Sequence, residues 1–402
     1  MLLTLVPLFD ENMAVCAYSF FTQRENFLLN PLLLGTAQFD GASQITGLEL
    51  IQKMGIDTLS QGKEIFVPIS NISIFADIPE QCDAPHEKIV LLIDNTIPPI
   101  EMYVNRLKEL KQQGYKLAIR KLAVSDFENY REVLKLMDYV LLNNRKIAID
   151  KAKIYFGKLF PNISLCAGNI DTMEDFERLK ETGGYRFYEG KFYRVPITKG
   201  QTDVAPLKGN YIDLLNIVNS PDFELTTAAD IISRDTALTI DLLKMVQPLA
   251  VNSEITSIRH AAAMLELKKW INTAVANALY ADKPNEVTRL SLLRAKFAEN
   301  LAEAFGLKAQ KDELFLMGLF SVLDVILEKP MAEALKVVHV AGEISNALIY
   351  RIGVLAPVYD FMLQYETANW AEVSRLMLLK NIDMNTVYEA YTSALKWYRT
   401  VR

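Results

Sequence analysis

A chain of 402 residues, half of them apolar and 23% charged, is long enough for two domains with separate cores and has an ordinary globular composition. A net charge of -6 removes any global electrostatic case for binding nucleic acid or an anionic membrane. Cys16, Cys82 and Cys166 are odd in number and widely spaced. They exclude a disulfide framework and a zinc pattern, and a reducing cytoplasm is the expected compartment.

Residues 1–9 are apolar but short, lack a basic leader and run into Asp10 and Glu11. They read as a first buried strand, not a signal peptide. Further strands are expected at 65–69, 89–93, 116–119, 139–142 and 163–167. These runs are nearly continuous in apolar residues, the pattern of parallel strands covered on both faces. Pro68 within the first of them suits an edge position. Helical patterns at 102–113, 127–137 and 172–182 alternate with the strands, and Gly114 caps the first helix at its C-terminal end. The alternation predicts an α/β domain, and the strand count fits a barrel.

The composition shifts around Pro196 and Gly200, and the linker is placed at residues 198–205 between domains 1–197 and 206–402. Beyond it the chain has almost no strand signal. Tyr211, Leu214, Leu215 and Val218 share one helical face, as do Leu238, Leu242 and Met245. Thr226, Thr227, Asp235 and Thr236 offer N-caps, while Pro221 and Pro284 punctuate. The second half is therefore expected to be all-helical. Its most apolar run, 314–327, is interrupted by Asp324 and falls short of the ~20 residues that span a bilayer.

The first half resembles the EAL domain, a modified TIM-type barrel that hydrolyses cyclic di-GMP. The resemblance rests on order and spacing over residues 1–197. Pro7-Leu8-Phe9-Asp10 followed by Val15-Cys16-Ala17-Tyr18 looks like the opening strand pair. Gly114-Tyr115-Lys116-Leu117-Ala118 looks like the central strand, and Tyr188-Glu189-Gly190 leads a closing segment that ends at Pro196. The resemblance implies oxygen ligands for two Mg²⁺ or Mn²⁺ ions and a basic residue beside an attacking water.

Those groups are absent from the positions that match. Ser19 stands where the signature glutamate follows the first strand pair, and Leu92 holds the next glutamate position. Arg120 and Lys121 replace paired aspartates. Leu141 replaces a lysine, Asn143 an aspartate, Gly168 a glutamate, and Glu189 a substrate-touching glutamine. Two like charges near 4 Å cost ~4 kcal/mol at an effective dielectric of about 20, so a divalent ion beside Arg120 or Lys121 is strongly disfavoured. The two cations either pair with nearby acids such as Glu189 or Asp171, or bind an anion such as a nucleotide phosphate without metal.

The second half resembles the HDOD domain, a metal-free relative of HD-type phosphohydrolases. Asp235-Thr236-Ala237-Leu238, Asn252-Ser253 and the segment from His260 to Leu265 carry the early part of the resemblance, with Glu266 in place of a glycine. Residues 315–324 match the helix that bears the His-Asp pair of active enzymes, here Ser321-Val322. Tyr365-Glu366 and Trp370 resemble the family's later YE-x-x-x-W segment. The chain's three histidines, His86, His260 and His339, are scattered, so no HD metal site is expected. His260 reads as a helix-surface or satisfied semi-buried residue, Asp324 as a packing or hydrogen-bonding acid, and Trp270, Trp370 and Trp397 as core or interface residues. No phosphate-binding loop or nucleophile elbow is present.

The resulting expectation is a catalytically inactive signal-transduction scaffold without cofactor. It would act through an unidentified signalling protein, with a homodimer and a cyclic dinucleotide as further partners left open. The alternative is a cyclic di-GMP sensor or a residual phosphodiesterase.

Overall fold

The computed structural model describes residues 1–24, 26, 28, 44–194, 206–220, 223–224, 226–228, 271–273, 275, 285–337 and 340–400. The chain divides into two compact units. One comprises Met1–Val195 together with Phe361–Arg399, and the other Pro196–Asp360 with Thr400–Arg402. The first unit is therefore discontinuous in sequence.

That unit is built on a closed eight-strand barrel in simple order: β1 (Leu2–Phe9), β2 (Val15–Gln23), β3 (Glu64–Pro68), β4 (Ile89–Asp94), β5 (Lys116–Arg120), β6 (Tyr139–Asn143), β7 (Ser164–Ile170) and β8 (Phe187–Gly190). Strand β1 runs antiparallel to both neighbours, while β2 to β8 pair in parallel. The β1–β2 turn closes because Asp10 Oδ1 accepts the N–H groups of Asn12 (2.8 Å) and Ala14 (2.9 Å).

Side chains alternate across each strand, so one parity fills the barrel. Leu8, Ala17, Phe66, Val90, Leu92, Ala118, Tyr139, Cys166 and Phe187 form that core. The rings of Phe66, Tyr139 and Phe187 pack at centroid separations of 5.2 to 6.2 Å. Each fully buried large apolar side chain contributes about 1.5–3 kcal/mol. The expected Gly114 cap is present: the helix Glu101–Gln112 ends just before Gly114, at φ 93°.

Two expectations need correction. Strand β3 is paired with β2 on one side and β4 on the other, so Pro68 is not an edge residue. It ends β3, where a missing N–H costs least, and the next residue, Ile69, donates to Leu92 O at 3.0 Å. The pattern at 127–137 yields only a short helix, Arg131–Leu134, after a 3-10 turn at Val124–Asp126. Asp126 Oδ2 accepts the Ala123 N–H, and Tyr130 donates to Ile97 O at 2.9 Å, which pins this connection to the loop after β4.

The C-terminal helices of the same unit cover β1. Only Phe9 of β1 pairs with β8, leaving the start of the strand without a neighbour on that side. Leu3 donates its N–H to the Tyr365 hydroxyl at 3.1 Å instead. Gln23 Nε2 donates to Ser374 Oγ (3.2 Å), and Arg194 pairs with Glu366 at 2.8 Å. Tyr365 packs on Trp370 and Tyr391 at 5.3 and 5.0 Å.

In the second unit every regular element among the described residues is helical. Helices Asn285–Leu301 and Lys311–Phe320 cross closely at Gly318, where an added Cβ would lie 2.5 Å from Ala295 N and Arg294 O. Ser291 Oγ locks the crossing by donating to Leu319 O at 2.7 Å. Leu214, Leu215 and Val218 are buried on one face of Pro206–Asn219, as their spacing predicts. Asp235, Leu238, Leu242, Met245, Asn252, His260, Trp270 and His339 lie outside the described residues.

Candidate functional site at the barrel mouth

Strand parity carries the sequence-selected residues to one place. The core residues Ala17, Leu92, Ala118, Tyr139, Cys166 and Phe187 define the inward set. Two-residue steps toward the C-terminal ends put Ser19, Arg120, Leu141, Asn143, Gly168 and Glu189 on the same interior face. Register makes them neighbours: Asp94 is opposite Arg120, Arg120 opposite Leu141, and Asn143 opposite Gly168. This is the barrel end at which TIM-type folds place their chemistry.

The environment of this mouth is apolar on two sides. Leu92 is 1% exposed, and Leu141 packs against the core cluster. Ser19 is 3% exposed, and its Oγ has no hydrogen-bond partner among the described residues. Arg120 rests on the Phe21 ring, Cζ to centroid 5.3 Å, with its Nε buried and likewise unpartnered. Burial works against its charge, while Asp94 and Glu189 favour it from beyond ion-pair distance.

Lys121 is the exception to the inward pattern. It follows β5 with φ 62° and turns its ammonium to Asp94, Nζ to Oδ2 2.8 Å. Asp94 Oδ1 also accepts the Thr96 N–H (3.0 Å) and hydroxyl (2.6 Å). Burial raises the Asp94 pKa, but the hydrogen bonds from Lys121 and Thr96 outweigh it and leave the carboxyl below its ordinary value. Asp171 pairs with Arg145, and Asn143 Oδ1 accepts the Arg145 N–H at 3.0 Å. The acids expected to neutralise Arg120 and Lys121 were Glu189 and Asp171. The structure gives Lys121 a different acid, Asp94, and pairs Arg120 with none among the described residues.

Asp94 is the residue that sequence reasoning missed. Its signal was present: an acid that closes the apolar run at 89–93, two residues past Leu92 on the inward parity. Glu189 also has a role that spacing could not give. Its Oε2 accepts the Asn169 N–H at 3.4 Å and lies 3.1 Å from where a Cβ at Gly168 would sit. Burial pushes the Glu189 carboxyl above its ordinary range, opposed by the Asn169 N–H and by Arg120. The carboxylate of Glu189 thus occupies space that a side chain at 168 would need.

Two hard cations require about six oxygen ligands each. The mouth offers apolar, amide, hydroxyl and cationic groups, with Asp94 already engaged and Glu189 beside Arg120. Among the described residues no three His, Cys, Asp or Glu side chains gather as a metal site. The residues present do not fit a two-metal centre.

In the second unit, Ser321 and Val322 fall at the break between helices Lys311–Phe320 and Leu323–Leu327. Ser321 Oγ donates to Gly318 O (2.6 Å) and accepts from Arg294 Nη1 (3.0 Å), and Val322 is buried. Asp324 is held above its ordinary range chiefly by burial. His86 stacks on Tyr115 at 4.3 Å, with Nδ1 2.9 Å from Gln113 O. No helix among the described residues is long and apolar enough to cross a membrane.

Residues 204–342 match the family model described as the HDOD domain. The chain is 27% identical over 325 residues to a cyclic di-GMP phosphodiesterase, CdgJ, of Vibrio cholerae serotype O1, covering 79% of this chain and 74% of that one. It is 26% identical over 373 residues to the uncharacterized protein YuxH of Bacillus subtilis, covering 89% and 90%. Among solved structures it is similar to the EAL domain of DcpA from Mycobacterium smegmatis, with 17% identity and a TM-score of 0.35, over 47% of this chain and 89% of that one. A standalone EAL protein of Vibrio cholerae O395 in its c-di-GMP bound form is similar at 14% identity and TM-score 0.35, over 48% and 90%.

Proposed function

We propose that this chain is a cytoplasmic regulatory protein of cyclic di-GMP signalling whose barrel does not hydrolyse the dinucleotide, and that it acts by contacting a partner protein. The observation that carries the reading is the side-chain set of the mouth. Ser19, Leu92, Arg120, Lys121, Leu141, Asn143 and Gly168 occupy the positions that the EAL resemblance assigns to metal and water chemistry. A divalent ion placed about 4 Å from one cation is opposed by about 8 kcal/mol at a dielectric of about 20, twice the value for unit charges. Asp94, committed to Lys121 at 2.8 Å, is poorly placed to offset it. Ser321-Val322, where the HDOD resemblance places a degenerate His-Asp pair, extends the same reading to the second unit.

The name of the Vibrio cholerae relative supports the signalling context and also favours a second reading, in which the chain binds cyclic di-GMP or retains phosphodiesterase activity. Calorimetry with cyclic di-GMP, with and without Mg²⁺, separates a binding protein from a pure scaffold. An assay for the linear dinucleotide separates hydrolysis from binding. The proposal expects no product from the wild-type protein and none from the double variant Arg120→Asp, Lys121→Asp, because positions 19, 92 and 168 still lack carboxylates. Turnover by either protein overturns it. Affinity capture from the native cell identifies the partner.

A further inference from the structure

Met1–Val195 and Phe361–Arg399 form one compact unit, so residues 196–360 are an insertion within it. On the return side the division falls inside a single helix, Ala356–Glu366. The points where the chain leaves and resumes the first unit are tied to each other. Arg194, in the last turn before the departure, meets Glu366, the last residue of that helix, with Nη1 2.8 Å from Oε2. Both side chains are largely buried, 17% and 13% exposed, so removing either leaves the other uncompensated in a low dielectric.

Behind Arg194 lies the seam that closes the barrel. Strand β1 meets β8 at Phe9 alone, opposite Tyr188, whereas β4 and β5 pair along their length from Val90 to Asp94. Aromatic side chains hold the seam. Phe9 packs on Tyr193 at 4.7 Å and on Phe192 at 5.3 Å, and the Arg194 guanidinium lies over the Tyr193 ring at 5.8 Å. Phe192 stacks on Phe176 (4.5 Å), which packs on Tyr188 (5.1 Å). Adjacent residues of one helix thus reach both ends of β1: Tyr365 at the Leu3 N–H, and Glu366, through Arg194 and Tyr193, at Phe9. Glu189 follows Tyr188 at the mouth. Burial raises its carboxyl above the ordinary range, opposed by the Asn169 N–H and then by Arg120, Arg145 and Arg194.

We infer that the Arg194–Glu366 pair is a clasp through which residues 196–360 control closure of the barrel at the β1–β8 seam. A helix moves as a rigid element, so a shift of Ala356–Glu366 carries Tyr365 and Glu366 with it. With Glu366 withdrawn, Arg194 loses its counter-charge and the Phe9–Tyr193 contact loses its anchor. A seam with one ladder pair then opens locally while the rest of the barrel stays closed. The inference holds whether or not the barrel hydrolyses a dinucleotide.

The test is hydrogen exchange of the full-length protein, read on peptides covering 2–9 and 187–194, with 89–94 and 116–120 as the internal reference. Arg194→Met and Glu366→Gln should each speed exchange of the seam peptides about tenfold or more and leave the reference strands unchanged. The double variant should open the seam no further than the worse single variant, and Arg194→Lys should protect it better than Arg194→Met. Ser291→Ala, which removes the bond to Leu319 O in the second unit, reads the coupling. It should speed exchange at the seam in the wild-type background and add nothing there once Glu366→Gln is present. Unchanged exchange at the seam in both clasp variants, or equal acceleration in every barrel strand, overturns the clasp. A Ser291→Ala effect at the seam that is absent, or equal with and without Glu366→Gln, overturns control by residues 196–360.

Discussion

Restoring a glutamate at position 168 should destabilise the barrel, although the EAL resemblance places a glutamate there. In Gly168→Glu the new Cβ lies 3.1 Å from Glu189 Oε2 and 3.2 Å from Leu142 O. The first neighbour is a flexible side chain, but the second is the backbone of β6 and yields little. Crowding of this kind costs about 1–3 kcal/mol. The two carboxylates, if held near 4 Å, add about 4 kcal/mol at a dielectric of about 20. Glu189 limits that second cost by taking up a proton, since burial already favours its neutral form. A total loss of about 3–5 kcal/mol is expected in mildly alkaline buffer. Gly168→Gln carries the crowding without the charge and should lose about 1–3 kcal/mol. Adding Glu189→Gln to Gly168→Glu should recover most of the difference, which a double-mutant cycle measures directly. The assay is hydrogen exchange of peptides covering β7 and β8, together with thermal melting. Equal stabilities for Gly168→Glu and Gly168→Gln, or no recovery in the double variant, would refute the reasoning.

Glu189→Gln alone should stabilise the protein more at about pH 8 than at about pH 4. Burial raises the folded-state pKa of Glu189, so wild-type stability falls as pH rises from the ordinary glutamate range through the raised value, and the glutamine removes that slope; melting curves across this range check the sign. Tyr365→Phe leaves the Leu3 N–H without its acceptor and should cost about 1–3 kcal/mol, with faster exchange of the Leu3 amide as the specific signature. Gly318→Ala sets a methyl 2.5 Å from the Arg294–Ala295 backbone and should cost about 1–3 kcal/mol or more, read from the far-ultraviolet melting of the helical unit.

Much of the barrel was legible because its signal is local. Continuous apolar runs at 89–93 and 116–119 marked buried parallel strands, and Gly114 marked where a helix must stop. The Arg120-Lys121 pair was legible as chemistry, since two fixed cations oppose metal binding wherever the chain places them. The weak pattern at 127–137 was misread because its apolar spacing served contacts of Tyr130 and Phe127 with neighbouring segments rather than one helical face. Pro68 was misread because whether a strand is central depends on which strands come to flank it, here β2 and β4, and no single strand encodes that.

By itself the sequence determined the strand–helix alternation, the helical second half and the residue types at the mouth. These follow from periodicity and side-chain chemistry, which act over a few residues. The tertiary structure decided which acid meets which base. Asp94 faces Arg120 only through β4–β5 register, Lys121 reaches Asp94 only because its backbone turns at φ 62°, and Arg120 is left over Phe21 without an acceptor among the described residues. It also brought Tyr365 to Leu3, 362 positions apart, because the first strand lacks a β8 partner along most of its length. Pairing energies depend on distances of a few ångströms between residues far apart in the chain, and closure of the barrel sets those distances.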